Sequence, residues 1–297
     1  MDPATGEPPD KQIIASSLDL ADGLLRGVDA NFALLLESCA RASGGPQLLQ
    51  LLPACLRDED DDVRQAALGL LGDLAVHAPQ ALVSSGATAG ALVGAAGGDA
   101  ALAAADLVPL LLESLSATVY GRKVASNAAW ALGEFAVAFG GAVVEPSCTA
   151  ACGRLVVILS DDECHPNLLE NAAVCIGRLA AACPPQVASC AASLAPVWLP
   201  ALQHVSAPDD RNQAFGGLVA LAQVAWQATV AGTNYPAFLG AVASWCHYDP
   251  PPPELKAQLQ AMISAASVEL RGTNPESYLG LLEGNYRTHL IEEYTFA

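Results

Sequence analysis

A helical segment that recurs along the chain limits the fold more than any other feature. Val63–Ala75, Val124–Ala136 and Leu168–Ala180 align without gaps. Each has an apolar first slot, Ala in the fifth, Gly in the tenth, a charged residue in the eleventh and Ala in the last. A looser fourth copy runs Arg211–Leu221. Gly133 and Gly177 are 44 residues apart, and Ala172 and Ala214 are 42 apart. Periods in this range belong to HEAT and armadillo repeats, whose units are two or three helices. Gly72 to Gly133 is longer, at 61. The excess coincides with an Ala/Gly-rich tract, residues 86–105, which reads as an inserted loop or poorly ordered excursion.

Each copy is preceded by a second helical pattern: Gln47–Arg57, Gly141–Ser160 and Pro185–His204 before the first, third and fourth. Tyr235–Tyr248, Glu254–Leu270 and a closing stretch around Pro275–Tyr294 continue the series. No useful run of strand alternation interrupts it. The expectation is an all-α chain, a right-handed α-solenoid of HEAT repeats, with about six or seven helix pairs in one array over residues 1–297. The first pattern, Gln12–Arg26, has no helix before it to pair with, so the array looks cut at its N-terminal end. Asp58-Glu59-Asp60-Asp61-Asp62 stands just ahead of the first copy, where carboxylates cap a helix and complement its dipole.

Composition narrows the function. Thirteen Lys+Arg against 31 Asp+Glu leave a net charge of −18, and a phosphate-backbone binder needs clustered cations. Nucleic acid is therefore not expected, whereas a basic peptide suits an acidic surface. The nine cysteines form no C-x-x-C pair and mostly sit in apolar helical patterns, where Cys acts as a small hydrophobe. The N-terminal residues lack the basic and apolar regions of a signal peptide. Stretches at 179–208 and 212–253, in which Asp249 is the one charged residue, are broken by prolines, glutamines or asparagine, so no membrane insertion is expected. His77, His165, His204, His247 and His289 are scattered, and no nucleophile elbow, phosphate loop or metal-ligand spacing occurs. Cys164-His165 has no evident third partner. The chain thus reads as a binding protein, not an enzyme, with no cofactor.

Slots 1, 5, 9 and 12 of each copy fall on one helical face and define the core stripe. Slots 4, 7 and 11 lie on another: Ala66, Gly69, Asp73; Asn127, Trp130, Glu134; Asn171, Val174, Arg178. If second helices stack side by side, these nine form a three-by-three patch on the inner surface. Trp130 is the outlier, because its slot holds Gly in one copy and Val in another. It is either a wedge between repeats or an exposed anchor flanked by the peptide-gripping amides Asn127 and Asn171, with Asp73 and Glu134 for basic side chains.

In order along the chain, Val63-Arg64-Gln65, Leu70-Leu71-Gly72-Asp73-Leu74, Asn127–Glu134, Leu168–Leu179 and Ala241–Trp245 resemble consecutive repeats of the transportin family, karyopherins of the importin-beta superfamily. The similarity runs from about Asp10 to the C-terminus. It implies a nuclear import receptor, shuttling between cytoplasm and nucleus, whose C-terminal arch holds proline–tyrosine localisation signals. Carried over by position, it implies Trp130 as hydrophobic platform, Asn127 and Asn171 on the peptide backbone, Val174 as apolar wall, and Asp73 and Asp19 toward basic side chains. Cargo proteins are the implied partners, with nucleoporins a further class. Ran-GTP contact is implied only for repeats upstream of Met1. Ser126, Ala15 and the 86–105 tract depart from the family pattern. A generic HEAT scaffold or adaptor is the alternative, since it shares the core stripe without needing the Trp130, Asn127 and Asn171 set.

Overall fold

The capping chemistry expected of the acidic run is in place. In the computed structural model, Asp60 is the N-cap of the helix Asp61–His77 and accepts from the amides of Asp62 (2.9 Å) and Val63 (3.3 Å). Asp10 caps Lys11–Val28 through the Gln12 amide at 2.9 Å, and the His165 Nδ1 accepts from Asn167 at the start of Pro166–Ala182. Asp58 does different work: its carboxylate binds Lys11 Nζ at 2.6 Å.

The structure describes residues 10–32, 34–35, 38, 48–82, 104–116, 121–269, 278–282 and 284–295. No strand occurs among them. The 86–105 tract lies outside the described residues except for Ala104 and Ala105, which open a helix.

The helices are numbered as follows: α1 Lys11–Val28, α2 Leu48–Leu56, α3 Asp61–His77, α4 Ala104–Ser114, α5 Arg122–Phe139, α6 Gly141–Leu159, α7 Pro166–Ala182, α8 Pro184–Ala188, α9 Ala191–Leu202, α10 Pro208–Thr229, α11 Tyr235–Ala243, α12 Pro253–Glu269 and α13 Gly284–Glu293. They fall into two units, Met1–Ser147 and Cys148–Ala297, with the division inside α6. Each unit is a length of HEAT-type α-solenoid. In the first, α1, α3 and α5 lie side by side, α2 and α4 back α3 and α5, and α2 touches α4. In the second, α7, α10 and α12 form the corresponding row, backed by α8, α9 and α11, with α13 against α11.

The core stripe is as expected. Val63, Ala67, Leu71, Leu74, Val124, Ala128, Leu132, Phe135, Leu168, Ala172, Ile176 and Leu179 are all buried. Burial does not stop at that stripe, because α3 meets α1 on one side, α5 on the other and α2 behind. On α3, Arg64, Leu68, Leu70, Gly72, Asp73 and Ala75 are buried as well. A second repeat signal lies in the first helices, where Pro53, Pro109, Pro146 and Pro196 each occupy the sixth position of α2, α4, α6 and α9. Proline there removes one intrahelical hydrogen bond at the same place in each unit, a recurring site for a bend.

Among the described residues α6 alone is a single helix long and apolar enough to cross a membrane by length and composition. Its burial is one-sided: Val144, Cys148, Ala151, Cys152, Leu155 and Ile158 are covered, while Glu145, Thr149 and Arg154 are exposed. That is the pattern of a helix packed on one face.

Candidate functional site

The surface of interest in the first unit starts from a glycine. Gly72 is buried in mid-α3, and a Cβ placed on it would lie 2.2 Å from Cζ3 of Trp130. The Trp130 indole of α5 therefore rests on the backbone of α3, in a hole that only glycine leaves open. Trp130 is half-buried, so part of the ring remains in solvent. One turn earlier, Asn127 Nδ2 donates to the Gln65 carbonyl at 3.0 Å. Gly69, facing Asn127, has room to spare at 3.7 Å. The amide thus grips backbone, but the backbone of its own neighbouring helix. Glu134 is half-buried one turn beyond the ring.

An ion cluster ties α1 to the end of α3. Arg26 donates to both Asp22 and Asp73, the latter at 2.9 Å. His77 reaches Asp29 at 3.0 Å and lies 3.8 Å from Asp73. Burial first, then the adjacent Asp22 carboxyl, push Asp73 up to about 6; Arg26 and His77 offset this only in part. Asp19, on the same helix as Asp22, is exposed.

The nine-residue patch is therefore not a uniform surface. Gly69, Asn127, Trp130, Glu134 and Asn171 are half-buried, whereas Ala66, Asp73, Val174 and Arg178 are buried. Two of the buried ones carry the charge of the eleventh slot. Asp73 is engaged by Arg26 of α1, and Arg178 of α7 binds Asp210 (2.8 Å) and Gln213 (2.6 Å) of α10. In α3 and α7 the charged slot is a tie to a neighbouring helix, and it serves with either sign. Asp73 and Val174 accordingly do not present free side chains to solvent, contrary to what their helical slots suggest. Asn171 and Val174 belong to the second unit, and Asp19, Asp73, Asn127, Trp130 and Glu134 to the first.

Sequence reasoning missed Arg26, Asp22 and the role of Gly72. Arg26 and Asp73 are 47 residues apart, as are Lys11 and Asp58. That separation is close to the repeat period, and opposite charges one period apart were the available signal. Among the described residues, no group of three or more His, Cys, Asp or Glu could hold a metal ion.

No protein-family model matches the chain. Among solved structures it superposes on Kap121p bound to Pho4p with a TM-score of 0.56 at 14% identity, over 93% of this chain and 23% of that one, a likeness of fold. The curated relatives carry the sequence signal. The chain is 29% identical over 243 residues to Transportin-1 of Mus musculus, covering 82% of this chain and 24% of that protein. It is 31% identical over 253 residues to Transportin-1 of Oryza sativa subsp. japonica, covering 82% and 25%. It is 27% identical over 269 residues to importin subunit beta-2 of Schizosaccharomyces pombe, covering 90% and 26%. The chain spans about a quarter of the length of these relatives. Fold and sequence together are those of a HEAT-repeat protein similar to the karyopherins. Within that class the similarity is to the transportins.

Proposed function

We propose that the chain is the cargo-holding stretch of a nuclear import receptor that moves between cytoplasm and nucleus, and that it binds without catalysing a reaction. The ligand is the basic or hydrophobic segment of a proline–tyrosine localisation signal. The half-exposed ring of Trp130, held on Gly72, supports this most directly: a large rigid aromatic kept partly in solvent is the residue type that anchors interfaces. Asn127 and Glu134 flank it along α5, and Asp19 adds an exposed carboxylate on α1. Asn171 and Val174 occupy the corresponding slots of the third copy, where Val174 acts through packing since it is buried. Asp73 acts through Arg26, which a basic cargo residue would have to displace.

The Gly72–Trp130 interlock also favours a second reading, in which Trp130 is a structural wedge and the chain is a general HEAT scaffold. A labelled basic, hydrophobic Pro-Tyr peptide titrated by fluorescence anisotropy separates the two. Saturable binding that weakens at least tenfold with Trp130→Ala supports import. Absence of binding, or binding indifferent to Trp130, supports the scaffold.

A further inference from the structure

In the second unit a buried cation has no acidic partner among the described residues. Arg211, in the first turn of α10, is 0% exposed. Its guanidinium carbon lies 4.0 Å from the Tyr248 ring centroid, 4.4 Å from that of Trp245 and 5.1 Å from that of Phe215. Nη1 donates to the carbonyls of Val205 (2.7 Å) and Leu202 (3.3 Å), and Nη2 donates to Ser244. These contacts cap the end of α9 and hold the charge against aromatic faces. None supplies a negative charge, and burial pulls the guanidinium down to about 10, which leaves it charged at neutral pH.

Beside it is a cavity of about 480 Å³, lined in part by Ser206, Pro208, Arg211, Asn212, Trp245 and Tyr248. Small-molecule sites commonly have volumes in this range. Three buried polar atoms of the lining side chains have no hydrogen-bond partner among the described residues: Arg211 Nε, Trp245 Nε1 and Asn212 Oδ1. The first two are N–H donors. The third shares an amide whose oxygen and nitrogen exchange places on a flip, so it can donate too. The N-terminal end of α10 carries Asp209 and Asp210 in its first turn, which offset its dipole, so the attraction for an anion rests on Arg211 and the unpaired donors. Buried donors without acceptors are costly, and an acceptor that also neutralises the guanidinium removes both penalties at once.

We infer that this cavity is a carboxylate site, distinct in every residue from the Trp130 surface, in which the Arg211 and Trp245 side chains turn toward the ligand so that one carboxylate accepts from Arg211 Nε and Trp245 Nε1. A dianion is disfavoured by Asp249, an exposed carboxylate that also lines the cavity, and by the overall charge of −18. The carboxylate can come from a small free acid or from the C-terminus of a peptide.

The full chain is titrated at constant ionic strength with sodium acetate, with acetyl-Ala-Gly-Ala bearing a free C-terminal carboxylate, and with the same tripeptide amidated. Calorimetry gives affinity, and the Trp245 indole N–H resonance, identified by its loss in Trp245→Phe, reports the site. The carboxylate site requires that the acid form shift that resonance and bind at least tenfold more tightly than the amide. Trp245→Phe, which keeps the ring over Arg211, should weaken binding at least tenfold. Asn212→Asp should do the same by adding a negative charge, and Asp249→Asn should tighten it about threefold. Acetate binding as tightly as the peptide acid assigns the site to free acids; peptide acid binding more tightly assigns it to peptide ends. Equal binding of acid and amide, no shift of the indole resonance with either acid, or unchanged affinity in both Trp245→Phe and Asn212→Asp would overturn the assignment.

Discussion

Two glycines in the same repeat slot do opposite things. Gly72 makes room for a side chain: the nearest atoms to its missing Cβ are all in the Trp130 ring. Gly177 makes room for backbone: a Cβ there would meet Ala214 Cα at 2.4 Å, and one on Gly217 would meet the Gly177 carbonyl oxygen at 1.9 Å. The first contact can be relieved by trimming or rotating a ring that already reaches solvent. The second can be relieved only by moving α7 away from α10. A sequence motif thus records that the neighbouring helix comes close, without recording what comes close. The difference matters for function, because a side chain seated in a glycine hole can also be a ligand contact, whereas packed backbone cannot.

Substitution at the second unit's glycine should give the largest effect. Gly177→Ala should cost about 3 kcal/mol in denaturant unfolding, the upper end for overpacking, despite the gain of about 1 kcal/mol expected for Gly→Ala in a helix. No side-chain truncation on α10 should rescue it. A loss below about 1 kcal/mol would break the comparison.

Gly72→Ala should cost about 2 kcal/mol in the native background and under about 0.5 kcal/mol in a Trp130→Ala background. That coupling is the signature of a side-chain hole. Additive losses would mean that the α3 and α5 backbones, not the indole, set the limit.

The eleventh slot offers a parallel test through pH. Because Asp73 is held near 6 in the fold and titrates near 3.9 when unfolded, the folded chain binds more protons between those values. Stability from this group should therefore fall as pH rises from about 4 to 6, by on the order of 2 kcal/mol, and be flat above about 7. Asp73→Asn should remove that slope, which urea midpoints at pH 4.5, 5.5 and 7 would reveal; an unchanged slope would assign the proton to another group. The smallest effect should have the opposite sign. Gly153, exposed in mid-α6 with nothing within 4 Å of a Cβ, should gain about 0.5–1 kcal/mol as Ala. A loss there would show that glycine in this protein has a role beyond contact.

The fold was largely legible because periodicity reports which side of a helix is buried, and all twelve core-stripe positions are. The acidic run was legible as a cap because N-caps act within three residues. The site was less so. Helical slots place Asp73 and Val174 on a face but cannot say that another helix covers that face. Asn127 looked like a peptide-gripping amide, and its first grip is on Gln65, 62 residues earlier. The Arg211 cage was invisible for the same reason: Phe215 is one turn away, but Trp245 and Tyr248 come from the next helical turn of the array. The sixth-position prolines were on view in the sequence and only gain meaning once the first helices have defined starts.

Trp130 is where packing and proposed function meet, and a single pair of measurements separates them. Trp130→Ala and wild type are compared for unfolding free energy and for affinity toward a basic, hydrophobic Pro-Tyr peptide. If the exposed part of the ring is a cargo platform, affinity should fall about tenfold, on the order of 1.4 kcal/mol, while stability drops by no more than about 1–2 kcal/mol, as suits a half-buried ring. A stability loss of about 3–5 kcal/mol, matching that expected for the fully buried Phe135→Ala, with peptide affinity unchanged, would contradict a cargo role and leave Trp130 as a wedge.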